Sequence, residues 1–272
     1  MRIGVVAPSS RFGAETAARV KAVAARAAPG VELVFHPSSF LIHNHFAGTD
    51  AEREQALVEF ANDPELDAIW LARGGYGSCR VAEAAIARMG EAARAKAWLG
   101  YSDAGFLLAG LYRAGFPSLA HGPMPQDVLR EGGETAIERA LTWLVDRSAG
   151  ALEPGLERGA RHAAFNVTVL SMLLGTPLEP DLSGHILLLE EVSEHMYAVD
   201  RALFHITASP NVRSAAGIRL GRVSDVLPND PDFGDDEEAV ARFWCAKAGI
   251  PYLGRADIGH DSANRIVPFG PL

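Results

Sequence analysis

Four short stretches carry the residue types that acyl-transfer chemistry needs. Gly100-Tyr101-Ser102-Asp103 follows an apolar run and precedes a segment with helical spacing. A strand, a sharp turn and a helix would expose the Ser102 hydroxyl at a helix N-terminus. The free amides there can bind a developing oxyanion, and the helix dipole favours negative charge. The spacing is one residue longer than the G-x-S-x-G elbow, because the second glycine is Gly105. Read alone, the segment favours an N-cap role for Ser102 or Asp103 over a nucleophile. Arg73-Gly74-Gly75-Tyr76-Gly77 also lies between a strand and a helix, where glycines let the backbone approach a ligand closely. It matches neither the dinucleotide fingerprint nor the P-loop, and a tight strand-to-helix turn is the plain alternative.

Glu190, Glu191 and Glu194 end the strongest strand signal of the second half, His185–Leu189. Neighbours on a strand point to opposite faces, which argues against Glu190 and Glu191 as partners in a two-carboxylate mechanism. In Gly259-His260, the imidazole suits a general base because its pKa lies near working pH. His43 and His45 are spaced for a metal, but no third ligand stands out and no metal is expected. A serine, an acid and a histidine thus follow one another in the order Ser, Glu, His, which is one known solution for a nucleophile, its base and the orienter.

The elements that must position them alternate. Strands are expected at Ile3–Ala7, Val31–His36, Ala68–Leu71, Trp98–Leu99 and Ser118–Ala120, with helices at Gly13–Ala28, from Thr49 to about Ala61, from Ser78, at Asp103–Ala114 and at Gly133–Asp146. Thr49 and Glu52 match a capping box. This order predicts an α/β fold whose N-terminal part is a doubly wound, mostly parallel sheet, with ligands beyond the carboxyl ends of its strands. Residues 147–164, poor in apolar periodicity, read as a linker between domains 1–146 and 165–272. The second domain reads as smaller and mixed α/β, with a helix at Phe165–Leu174, one at Met196–Ala208, strands at Gly217–Val223 and Tyr252–Ile258, and a helix at Asp235–Ala248.

Composition excludes several classes. A net charge of −9 over 272 residues argues against nucleic acid as a partner. No apolar run is long enough to cross a bilayer, and the N-terminus turns polar too soon for a signal peptide. Two cysteines, Cys79 and Cys245, support neither a disulfide framework nor a thiolate metal site. A cytoplasmic protein without membrane partners is expected.

Eight stretches in fixed order, APSS (Ala7–Ser10), AGTDAERE (Ala47–Glu54), ARGGYGSCR (Ala72–Arg80), GYSD, HGPM (His121–Met124), LLGTPLEPD (Leu173–Asp181), LLLEEV (Leu187–Val192) and GHDSANRIVPFG (Gly259–Gly270), make the chain resemble the LD-carboxypeptidase family of serine peptidases. That family includes muramoyl-tetrapeptide carboxypeptidases and microcin C self-immunity proteins. The resemblance implies two domains with the active site between them. It implies Ser102 as nucleophile, His260 as base and Glu190 as the acid, with Glu191 the alternative. It also implies an oxyanion hole of the Asp103 amide and one from the glycine loop, Gly75 or else Gly74. On this reading Asp103 is the better cap and Ser102 is left for chemistry. The implied reaction frees a C-terminal D-alanine from a peptidoglycan tetrapeptide without metal or cofactor, in a homodimer. Cleavage of a peptide–nucleotide antibiotic and a non-catalytic ligand-binding module are the competing readings. One departure is Ala164-Phe165 before Asn166, where the family usually has two glycines. The residues that hold the substrate are not indicated; Arg73, Arg80 and Arg201 each suit a carboxylate.

Overall fold

The computed structural model describes all 272 residues. Two sheets make up the molecule. The first holds β1 (Arg2–Val6), β2 (Glu32–Phe35), β3 (Ala68–Leu71), β4 (Ala97–Gly100) and β5 (Leu119–His121), all parallel, in the order β5-β4-β3-β1-β2. The second holds β6 (Arg161–Asn166), β7 (His185–Val192), β8 (Gly217–Ser224) and β9 (Tyr252–Arg255), parallel and in chain order. β3, β4 and, after Arg2, β1 are apolar or glycine runs, and these residues are buried throughout. That is the pattern a parallel sheet covered on both faces imposes. The expected α/β architecture is therefore what the chain adopts.

The strand order reverses between β1 and β3, so the loops that leave these two strands diverge and open a crevice. Arg53 fixes both sides of it. The helix Asp50–Asn62 starts with the predicted capping box, Thr49 Oγ1 accepting from the Glu52 amide and Glu52 accepting from the Thr49 amide at 2.7 Å. One turn on, fully buried Arg53 donates to the carbonyls of Pro8, after β1, and Gly77, after β3, the latter at 2.9 Å.

Two expectations for the middle of the chain need correction. The helix expected from Phe165 starts only at Val167, and Arg161–Asn166, mostly inside the expected linker, is a strand. Its RHAAFN sequence has little strand character. Parallel pairing with β7 over its whole length decides the outcome, as sheet context regularly overrides propensity. The rest of the connection is not loose either. Buried Glu153 pairs with Arg219 at 2.7 and 2.9 Å and accepts from the Asp257 amide. That last contact pulls the chain off the sheet, so the strand expected to reach Ile258 ends at Arg255.

The C-terminal segment ties the sheets together. β10 (Val267–Pro268) adds antiparallel to β5 at the edge of the first sheet, and β11 (Gly270–Pro271) adds antiparallel to β6 at the edge of the second. Between them Phe269 packs edge-on against Tyr112 and Phe165, ring centroids 5.6 and 5.3 Å away. One apolar core runs from Leu107 and Leu111 of the first half to Phe165, Leu187 and Leu189 of the second.

Candidate active site

Ser102 follows β4 in a 3-10 turn that leads into the helix Gly105–Arg113. Its φ is +59°, a left-handed conformation that costs a non-glycine residue of order 1 kcal/mol or more. Strain of this kind is what holds a nucleophile proud of its turn. Neither Ser102 nor Asp103 caps the helix. The residue preceding the turn is Tyr101, and no side-chain cap is formed. The capping expectation for Asp103 is thus overturned. Its buried carboxylate points across the crevice instead, accepting from the Ser78 amide at 2.9 Å and from Ser9 Oγ, while its carbonyl accepts from Ser78 Oγ. The loops after β1, β3 and β4 are knotted together through this one residue.

The glycine loop lies directly against the serine. A Cβ on Gly74 would sit 2.9 Å from both Cβ and Oγ of Ser102, and Gly75 has φ +98° with Ser10 Oγ where its side chain would be. Ser10 Oγ in turn bonds His45 Nε2 at 3.1 Å. Gly74→Ala is expected to displace the Ser102 side chain and lower hydrolytic kcat/KM by about 10- to 100-fold, since misplacement by about 1 Å costs on that order. Steady-state kinetics alongside a thermal melt check this.

His260 stands in the loop after β9. Arg222 braces that loop by bonding Asp257 at 2.6 Å and Asp261 at 2.9 Å. The His260 ring is almost wholly buried, and its Nδ1 bonds Glu190 Oε2 at 2.5 Å. Burial pushes the His260 pKa down, but the charge of Glu190 and its hydrogen bond outweigh this and leave it above the ordinary value. Tyr101 packs its ring 4.7 Å from that of His260 and donates to Asp127 Oδ1 at 2.8 Å. His121, its ring 5.4 Å from that of Tyr101, is held neutral, its pKa pushed down to about 3 by burial and by the neighbouring His260.

The adjacent acids separate as strand alternation requires. Glu190 turns to His260, whereas Glu191 turns to the other face. There it accepts from Asn166 Nδ2 at 2.5 Å and from the Thr168 and Val192 amides, each at 2.8 Å. Burial raises the Glu191 pKa against these bonds. Asn166 itself caps the helix Val167–Leu173, accepting from the Val169 amide. The acid that meets the histidine is therefore Glu190.

Ser102 and His260 line one cavity of about 450 Å³, together with Gly74, Gly75, Tyr101 and Arg130. No hydrogen bond joins the Ser102 and His260 side chains directly; sites of this type commonly tighten only when substrate is bound. Of the three arginines suited to a carboxylate, only Arg73 lines this cavity. Arg80 is taken by Asp50 at 2.6 and 2.8 Å, and Arg201 lies over Tyr197 on another surface. Sequence reasoning passed over Arg53, Ser9, Tyr101, Asp127 and Arg130. The first three sit inside or beside the stretches AGTDAERE, APSS and GYSD, which was the available signal.

Residues 3–122 match the family model of the LD-carboxypeptidase N-terminal domain, and residues 161–271 match that of its C-terminal domain. The chain belongs to the LD-carboxypeptidase family. A Synechocystis relative that carries a carboxypeptidase name is 33% identical over 99% of this chain and 89% of its own length. The murein tetrapeptide carboxypeptidase of Pseudomonas aeruginosa is 27% identical over 84% of this chain and 78% of its own. The crystal structure of the Oxalobacter formigenes muramoyltetrapeptide carboxypeptidase has the same fold, with a TM-score of 0.82 at 23% identity, covering 99% of this chain and 93% of that one. The microcin C7 self-immunity protein shares the fold at a TM-score of 0.80 and 20% identity, covering 99% and 91%. Membership makes this protein a carboxypeptidase, a hydrolase, and its substrate a peptide. No helix is long and apolar enough to cross a membrane.

Proposed function

We propose that this protein is a serine-type LD-carboxypeptidase that hydrolyses the amide between an L-centre and the C-terminal D-alanine of murein tetrapeptides, in cell-wall peptide recycling. The observation that carries the proposal is the buried Glu190–His260 pair opening onto the cavity that holds strained Ser102. A cleft built only for binding has no use for a carboxylate aligned on an imidazole nitrogen. The named substrates of the murein relatives support the choice of peptide. A cytoplasmic homodimer is the setting that goes with this reading.

On this reading the steps are as follows. Glu190 accepts from Nδ1–H of His260, which leaves the Nε2 lone pair as the base. Nε2 takes the Ser102 proton as Oγ attacks the scissile carbonyl. The amides of Asp103 and Gly75 hold the oxyanion, donors that do not reorganise as charge develops. His260 then protonates the leaving amine of D-alanine, and water, deprotonated by the same nitrogen, releases the acyl group. Throughout, Glu190 stabilises the imidazolium.

Mass spectrometry of a defined L,D-tetrapeptide tests the proposal. The expected product has lost one alanine, and the all-L peptide is left intact. An uncut L,D-peptide, or equal cleavage of both, would refute it.

A further inference from the structure

A substrate that loses one terminal residue places strict limits on where its carboxylate is bound. Consecutive Cα atoms lie about 3.8 Å apart, so the terminal carboxylate sits within one residue of the scissile carbonyl. Its partner must therefore line the cavity that holds Ser102. The cationic side chains there, besides His260, are Arg73 and Arg130.

The two differ in how they are held. Arg73 reaches outward, and its Nη1 donates to the Arg11 carbonyl at 3.2 Å. Arg130 is anchored from behind. Its Nε donates to Asp127 Oδ1 at 2.9 Å, and Asp127 is buried, with a side-chain exposure of only 4%. The other bonds of Asp127 are already made, Oδ1 accepting from Tyr101 and Oδ2 from the Met124 amide at 2.8 Å. The pair is consequently not the two-pronged fork of a self-sufficient arginine–carboxylate bridge. Asp127 is met through Nε alone, and the two Nη groups pair with no other carboxylate of the protein. A guanidinium fixed at one edge and free at the other is preorganised to receive a second carboxylate in bidentate fashion.

We propose that Arg130 binds the C-terminal carboxylate of the substrate and so makes the enzyme a carboxypeptidase rather than an endopeptidase, an assignment that rests on the peptidase reading above. The same chain of contacts runs on from Arg130 through Asp127 and Tyr101 to the His260 ring. A carboxylate on Arg130 thus docks against the framework that holds the base.

The test compares one L,D-tetrapeptide as its free acid and as its C-terminal amide, for the wild type, Arg130→Gln, Arg130→Lys and Arg73→Gln. The wild type is expected to favour the acid by about 10- to 100-fold in kcat/KM, the scale of a charge-assisted contact. Arg130→Gln should bring acid and amide together, and Arg130→Lys should restore part of the preference. Arg73→Gln should keep it. A purely structural role for Arg130 would slow both peptides alike and leave their ratio unchanged, so the ratio stays informative even for a less stable variant. If Arg130→Gln retains the full preference, or Arg73→Gln abolishes it, the assignment to Arg130 is overturned while the peptidase reading stands. If the wild type cleaves neither peptide, the peptidase reading falls and takes the assignment with it.

Discussion

Ser102→Ala is expected to lower kcat for the L,D-tetrapeptide by about 10⁶-fold, the loss seen when the nucleophile of a serine triad is removed. The peptide should still bind, because removing Oγ takes away a reacting atom and leaves the cavity walls of Gly74, Gly75, Tyr101 and Arg130 in place. Calorimetry on the variant therefore separates binding from chemistry. Single-turnover kinetics that found cleavage near the wild-type rate would remove Ser102 from the mechanism. Ser102→Gly adds a second readout. Alanine keeps the strained φ of +59°, whereas glycine accepts it freely. The glycine variant should be equally inactive yet more stable than the alanine variant by about 1 kcal/mol, read from paired denaturant melts. A site that stores strain and gives up stability when it becomes active is the expected trade-off for a nucleophile.

Glu190→Gln should cost about 10⁴-fold in kcat, because a neutral amide can present its NH₂ to Nδ1 and favour the wrong imidazole tautomer. The pH profile gives the cause as well as the size. His260 must be neutral to act as a base, and Glu190 raises its pKa. The acid limb of kcat/KM in the wild type is therefore expected above the ordinary histidine value of about 6.5. In Glu190→Gln the charge is gone and burial remains, so the residual activity should keep its acid limb below that value. An unmoved limb would show that Glu190 does not tune His260.

The same pair couples stability to pH. A base whose pKa is raised on folding stabilises the protein below its unfolded pKa, and that contribution is lost as pH rises through the folded pKa. Above that pH Glu190 is a buried carboxylate beside a neutral ring, with Oε1 lacking any partner. Glu190→Gln should then melt no lower than the wild type at high pH, and lower only in acid.

Much of this was legible in the sequence, for reasons that are local. Apolar runs such as Ala68–Leu71 dictate strands because a fully buried strand has no polar face to show. Thr49 and Glu52 dictate a helix start because the cap is satisfied within four residues. The alternation of these elements fixes a parallel sheet, and its carboxyl ends fix where Ser102 and the glycine loop must lie. The choice of Glu190 over Glu191 was foreshadowed by strand alternation, but alternation alone does not say which face meets the histidine. That depended on how the loop after β9 is held, through Arg222 and Glu153, so that His260 meets β7; the partners of both lie tens of residues away.

The strand Arg161–Asn166 was illegible because its pairing partner, not its composition, stabilises it. The role of Asp103 was misjudged because a capping aspartate and one that ties three loops together look identical in sequence. Arg130 was overlooked for the same reason: an arginine three residues from an aspartate reads as a surface pair. Local sequence thus determined the elements and the residue types brought to the cleft. Which side chain faces which was decided only by tertiary packing, because that choice is settled by burial and by hydrogen bonds between residues the chain brings together from far apart.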